Sequence, residues 1–209
     1  MREERVRNRV HRGPLASPSR LRGDQGSIIA EAALLTPFFV TLLFGMLEFG
    51  GAFRDYLTVG TASQSGARSA AIQGNNATAD WQILYAIEKA SAAMPFSQIK
   101  SVVIYKGTAS STSPPGTCTT TSTCNTYTSA DLTAMKACGT APCGAWLTNT
   151  YPAETTWSST SRNVLVNGPP DYVGVYITVV HPWITGLFGN NITLKSNTVA
   201  QIEPQKLSS

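Results

Sequence analysis

The run from Gly26 to Gly51, GSIIAEAALLTPFFVTLLFGMLEFGG, constrains this chain more than any other stretch. From Ile28 to Leu47 it is apolar except for Glu31, Thr36 and Thr41. A helix rises 1.5 Å per residue, so a run of about 20 residues covers about 30 Å, the thickness of a bilayer's hydrocarbon core. The sequence predicts a transmembrane helix over 27–53, a leader over 1–26 and an exported domain over 54–209. One acidic residue, Glu31, lies inside the apolar run. A carboxylate at mid-membrane costs roughly 2.5–3.5 kcal/mol on insertion scales and less near the interface, so it calls for a functional partner or for snorkelling to the nearer surface. Glu48 falls at the far interface, where solvation is the plainer reading.

Charge sets the orientation. The formal net charge of +4 comes entirely from the segment Met1–Gly26, which holds seven arginines against three acidic residues. The remainder carries nine basic and nine acidic residues. Basic residues beside a membrane helix stay in the cytoplasm, which places the N-terminus inside and the C-terminal domain outside. A nucleic-acid-binding domain would show its basic excess on the folded part, and this chain does not. Gly13, Pro14, Pro18 and Gly23 interrupt the leader. A secretory signal peptide would have a shorter apolar core and a small-x-small cleavage site, which the residues MLEFGGAFRD do not supply.

Beyond the membrane, the pattern predicts that the helix continues to about Gln73. Ala62, Gly66 and Ala70 form a small-residue stripe suited to close packing on a sheet, and Gly74-Asn75-Asn76 closes the helix. Pro37 is the expected kink. A second, amphipathic helix is expected from Asp80 to Met94, with Trp81, Leu84 and Ile87 on one face, stopped by Pro95. Strands are expected at 101–106, 172–180 and 192–202 and a short helix at 131–137. Residues 107–130 read as a Gly/Ser/Thr/Pro-rich loop, and 138–163 as irregular chain anchored by Trp146, Tyr151 and Trp157.

The cysteines, Cys118, Cys124, Cys138 and Cys143, all fall on the exported side, where disulfides are the natural state. Four cysteines allow three connectivities; pairing within the short segments 118–124 and 138–143 is one. The C-x5-C and C-x4-C spacings and the lone downstream histidine, His181, do not suit a zinc site, so no metal is expected. No nucleophile elbow, phosphate-cradling loop or carboxylate cluster is present. The chain is not expected to be an enzyme or to carry a cofactor.

The segment GSIIAEAALLTPFFVTLLFGMLEFG, followed by TASQSGARSAA, resembles the N-terminal region of the TadE-like family. These are pseudopilin-like proteins of tight-adherence (Flp-type) type IV pilus systems. The family pattern is a cleavable Gly, a Glu five residues on, a Pro six further, then Gly, a second Glu and an Ala/Ser/Arg-rich tail. Gly26, Glu31, Pro37, Gly45, Glu48 and Arg68 match it in order and spacing. The closing VYITVVHPWITGLFG is similar to the family's last strands. Ala32 departs from the aromatic residue common there, and Ser27 from the Phe or Met common at mature pilin ends. The resemblance implies an α+β, type IV pilin-like fold: a long N-terminal transmembrane helix packed on a small antiparallel β-sheet. It implies cleavage between Gly26 and Ser27 by a prepilin peptidase, and subunit-assembly roles for Glu31, Pro37 and Glu48. The expected partners are the inner membrane, the peptidase, other pilins or pseudopilins and the assembly platform, with no nucleic acid. The expected function is that of a minor pilin or pseudopilin in the inner membrane. The rival reading is an uncleaved, membrane-anchored structural or adhesion protein.

Overall fold

The computed structural model describes residues 22–116, 118, 123–154, 156–165 and 168–204. The expected leader thus lies outside the described residues up to position 21. The described residues fall into two compact units, divided between Leu43 and Phe44.

Helix α1 runs from Arg22 to Gln73, 52 residues, and stays helical through Pro37. It begins five residues before the expected start at Ser27. In the first unit its side chains find no core: Ile28, Ile29, Leu34, Leu35, Phe38 and Phe39 are all exposed. A helix that is apolar all round is stable only inside an apolar medium. Hydroxyls within the run do not need water, since Thr36 donates to the Ala32 carbonyl at 2.6 Å and Thr41 to the Pro37 carbonyl at 2.8 Å. Among the described residues, this is the one helix long and apolar enough to cross a membrane. Gly74 ends it as expected, at φ 53° with its amide on the Ala70 carbonyl at 3.2 Å.

The second unit is an α+β domain. The C-terminal part of α1 packs with α2 (Ala79–Ala90) and α3 (Ser129–Ala137) around strands β1 (Ile99–Gly107), β2 (Cys124–Tyr127), β3 (Tyr172–Pro182) and β4 (Asn191–Gln201). Among the described residues these four strands form one antiparallel sheet, in the order β2-β1-β3-β4. The long apolar helix on a small antiparallel sheet is the architecture expected from the sequence. The core gathers Val59, Ala62, Ala67 and Ala70 from α1, Trp81, Leu84 and Ile87 from α2, and Val102, Ile104, Val175 and Ile177 from the central strands.

The small-residue stripe of α1 serves this packing. A Cβ on Gly66 would sit 2.8 Å from Ile87 and 3.3 Å from Val175, so α2 and β3 both approach the bare backbone there. On β3, a Cβ on Gly174 would overlap the ring of Tyr105. That ring crosses the strand so that its hydroxyl reaches Asn197 Oδ1 at 2.8 Å.

Two elements differ from expectation. α2 stops at Ala90 rather than Met94; Ser91 turns its hydroxyl back to the Ile87 carbonyl at 2.8 Å, and its amide bonds the same oxygen. This local competition by a serine is a common way to end a helix. β2 lies in what reads as loop. Its four residues, Cys-Asn-Thr-Tyr, lack an apolar alternation and are held by tertiary contacts instead. Asn125 is buried and bonds both ways with the backbone of Trp157, at 2.8 Å each. It also donates to Asp80 at 2.8 Å.

Asp80 centres a buried polar network. It accepts hydrogen bonds from Asn125, from the Tyr127 hydroxyl at 2.6 Å, and from Arg162, whose side chain is fully buried and stacks over Trp157. Glu154 is buried nearby. Burial, reinforced by the negative charge of Asp80 and opposed by Arg162, pushes its carboxyl up to about 8. The Tyr127 hydroxyl is likewise pushed up, first by burial and then by Asp80.

Both disulfides are local: Cys118–Cys124 and Cys138–Cys143. The first ties the long loop to a buried strand residue, since Cys124 pairs with Tyr105 across the sheet.

Candidate functional site: the apolar helix and its two ends

The residues singled out from the sequence fall at two ends of the apolar run. At the first, Gly26, Ser27 and Glu31 are exposed on consecutive turns of α1. No atom lies within 4 Å of where a Gly26 Cβ would be. The Ser27 hydroxyl donates to Glu31 Oε1 at 3.3 Å, the i to i+4 contact that helix geometry provides. The Gly26–Ser27 bond therefore sits inside helix, near its described start. Gly23 and Gly26 weaken this first turn, since glycine costs about 1 kcal/mol relative to alanine in a helix. Thr36, Pro37 and Thr41 follow on the same apolar run.

At the second end Glu48 is buried, not solvated; only 2% of it is exposed. Its carboxylate is received by the turn between β3 and β4. Oε2 accepts the Ile184 amide at 3.0 Å, and Oε1 accepts both the amide and, at 2.7 Å, the hydroxyl of Thr185. The acid that the sequence places at the far interface thus fastens helix to hairpin.

Two further fastenings follow along α1. Two turns beyond Glu48, Asp55 Oδ2 meets His181 Nδ1 at 2.7 Å, while its Oδ1 pairs with Arg54 at 2.9 Å. The imidazole lies against Gly51, its Cε1 3.5 Å from where a Cβ would stand. Farther on, the Ser63 hydroxyl lies 2.8 Å from Ser196 and 2.9 Å from Thr198 on β4. The Glu203 amide then bonds the Ala71 carbonyl at 3.0 Å. From Ser63 to Ala71, α1 therefore runs alongside β4 and its exit in the same direction.

Sequence reading missed Asp55, His181, Asp80 and Arg162 as structural partners. The signal was faint: single polar residues inside apolar segments, with each partner far along the chain. His181 at least stands out, as the histidine that ends the most β-like run in the chain.

The helix that carries Gly26, Glu31, Glu48 and Asp55 has a family signature. Residues 26–68 match the TadE-like protein family model. The match begins at Gly26 and ends at Arg68, so it takes in the apolar run, Glu48, Asp55 and the stripe through Gly66. It leaves out α2, the sheet and both disulfides. No curated protein and no solved structure matches the chain. The TadE-like segment is thus the part of α1 that passes through the first unit and then lies along the β3–β4 hairpin.

Proposed function

We propose that this chain is a single-pass, prepilin-like minor pilin or pseudopilin of a tight-adherence pilus system. It sits in the inner membrane with the basic leader inside and the α+β domain outside. The observation that carries the reading is the TadE-like match over 26–68, which starts at the very glycine proposed for cleavage. A prepilin peptidase cuts after Gly26, where the absence of a side chain leaves the scissile bond accessible. Because that bond lies within helix, the first turn must open for the cut, and helix ends fray readily.

Cleavage would create an ammonium on Ser27, one turn from Glu31. In a lone subunit both charges reach the cytoplasmic interface. In a subunit drawn outward during assembly, Glu31 would enter hydrocarbon, and a neighbouring subunit's Ser27 ammonium would neutralise it and fix the register. Other pilins, the peptidase and the assembly platform are the implied partners. No catalytic role is assigned to the chain.

N-terminal sequencing of protein extracted from membranes that contain the cognate peptidase tests this reading. The expected first residue is Ser27, and Gly26→Val should leave the leader attached. Native protein that still begins near Met1 would favour the uncleaved anchor.

A further inference from the structure

The β3–β4 turn leaves an apolar surface that its own domain does not cover. Ile184 is 86% exposed, and Leu187 and Phe188 about half. On α1 beside them, Met46, Leu47, Phe49 and Phe53 are also exposed. Phe49, Trp183 and Phe188 form one aromatic cluster, with ring centroids 4.8–5.8 Å apart. Residues 182–194 contain no charged side chain. We propose that this turn and residues 44–53 of α1 together lie in the outer interfacial layer of the bilayer, so that the exported domain is seated on the membrane at a second point besides the helix. The proposal rests on the membrane-spanning reading above.

Three observations favour lipid as the occupant. The first is continuity. Exposed apolar residues continue along α1 from the 28–47 span through Phe49 to Phe53, and residues 28–53 of this helix at 1.5 Å each cover about 39 Å, close to a bilayer core plus interfacial layer. The second is where the charges begin. On the helix the first are Arg54 and Asp55; on the hairpin the first formal charge is Lys195, opposite Thr178 on β3. Asp55 meets the His181 imidazole at 2.7 Å, so on α1 and β3 the apolar band gives way to ionisable side chains at one height. The single charge inside the band, Glu48, is the one that is buried.

The third is the backbone. An amide without an acceptor is costly at membrane depth, and five of the eight amides from Trp183 to Asn190 have one inside the protein: Trp183 bonds the Asn190 carbonyl, Ile184 and Thr185 bond Glu48, Leu187 bonds the Thr185 hydroxyl, and Gly189 bonds the Gly186 carbonyl. Gly186 and Gly189, at φ 72° and 101°, permit so tight a turn. Trp183 at this level matches the aromatic belt of membrane interfaces.

The test uses the full chain in phosphatidylethanolamine/phosphatidylglycerol vesicles. The described cysteines are paired in disulfides, so an introduced cysteine can carry an environment-sensitive fluorophore. Ile184→Cys and Leu187→Cys report on the turn. Phe39→Cys reports on the span, and Ala109→Cys on the opposite end of the sheet. The expected result is blue-shifted emission, loss of iodide quenching and quenching by lipids brominated near the glycerol backbone for both turn probes. The Ala109 probe should behave as in water. Turn probes in water with the Phe39 probe in lipid would overturn this inference alone and leave the face to a protein partner. A Phe39 probe in water would overturn the membrane-spanning reading as well.

Discussion

Glu154→Gln should make the protein more stable than its parent as pH rises, and the sign follows from the surroundings of this carboxyl. Its value is pushed from 4.5 to about 8 by burial and by Asp80. Between those limits the folded chain holds a proton that the unfolded chain has released. Stability of the parent must therefore fall as pH rises through the window from 4.5 to 8, by at most about 1.4 kcal/mol per pH unit for one group. Below 4.5 both states are protonated and the penalty vanishes; above 8 both are ionised and it levels off. Glutamine has the shape of the protonated acid and cannot ionise. The variant and the parent should thus have nearly equal stability at pH 4, and the variant should gain steadily on it up to pH 8. Chemical denaturation of the full chain in detergent, at unit pH steps and with the disulfides intact, measures the difference directly. Other titrating groups cancel between the two proteins. A stability difference that stays constant from pH 4 to pH 8 would refute the argument and show that Glu154 titrates alike in the folded and unfolded chains.

The remaining predictions concern packing, the helix–hairpin junction and assembly. Gly174→Ala places a methyl group where Tyr105 already stands, and overpacking of this kind costs typically about 1–3 kcal/mol; thermal melting should show the loss, and Tyr105→Phe should not repair it. Glu48→Ala removes the acceptor of the Ile184 and Thr185 amides, so hydrogen exchange at those two amides should quicken while the β1–β3 pairs stay protected. Glu31→Ala should leave insertion and cleavage intact and abolish crosslinking between subunits; Glu31→Gln should be nearly as defective, because it keeps the shape and loses the charge.

The fold was legible where one pattern dominated. The near-continuous apolar run from Ile28 to Leu47 reads as one long apolar helix, and β3 reads as a strand because Val, Ile and Tyr crowd it. Gly74 marked the end of α1 because a helix stop needs a left-handed residue there. β2 was hidden for the opposite reason. Cys124-Asn125-Thr126-Tyr127 carries no period, and what makes it a strand is the docking of Asn125 onto Asp80 and Trp157. Asp80 itself looks like an ordinary acid in a helix's first turn, where it would suit the dipole. Only the return of Arg162, from far along the chain, makes it the centre of a buried network. Local patterns are visible in a sequence; pairings that depend on chain reversal are not.

The same distinction bears on the two acids of α1. Their sequence surroundings are alike: each is a lone glutamate near one edge of the apolar run. Their structural situations differ. Glu48 has three hydrogen-bond donors from its own chain and is closed off from solvent. A role for it between subunits would require those bonds to break first, leaving two turn amides without acceptors. Glu31 is exposed and is met within the chain by a serine hydroxyl at 3.3 Å, a neutral donor that does not offset its charge. If the helix moves outward through the bilayer, Glu48 carries its compensation along, whereas Glu31 must find it elsewhere. In the assembly proposed above, the need for a cation from another subunit would therefore fall on Glu31, and the hairpin turn that Glu48 holds would travel with the helix as one piece.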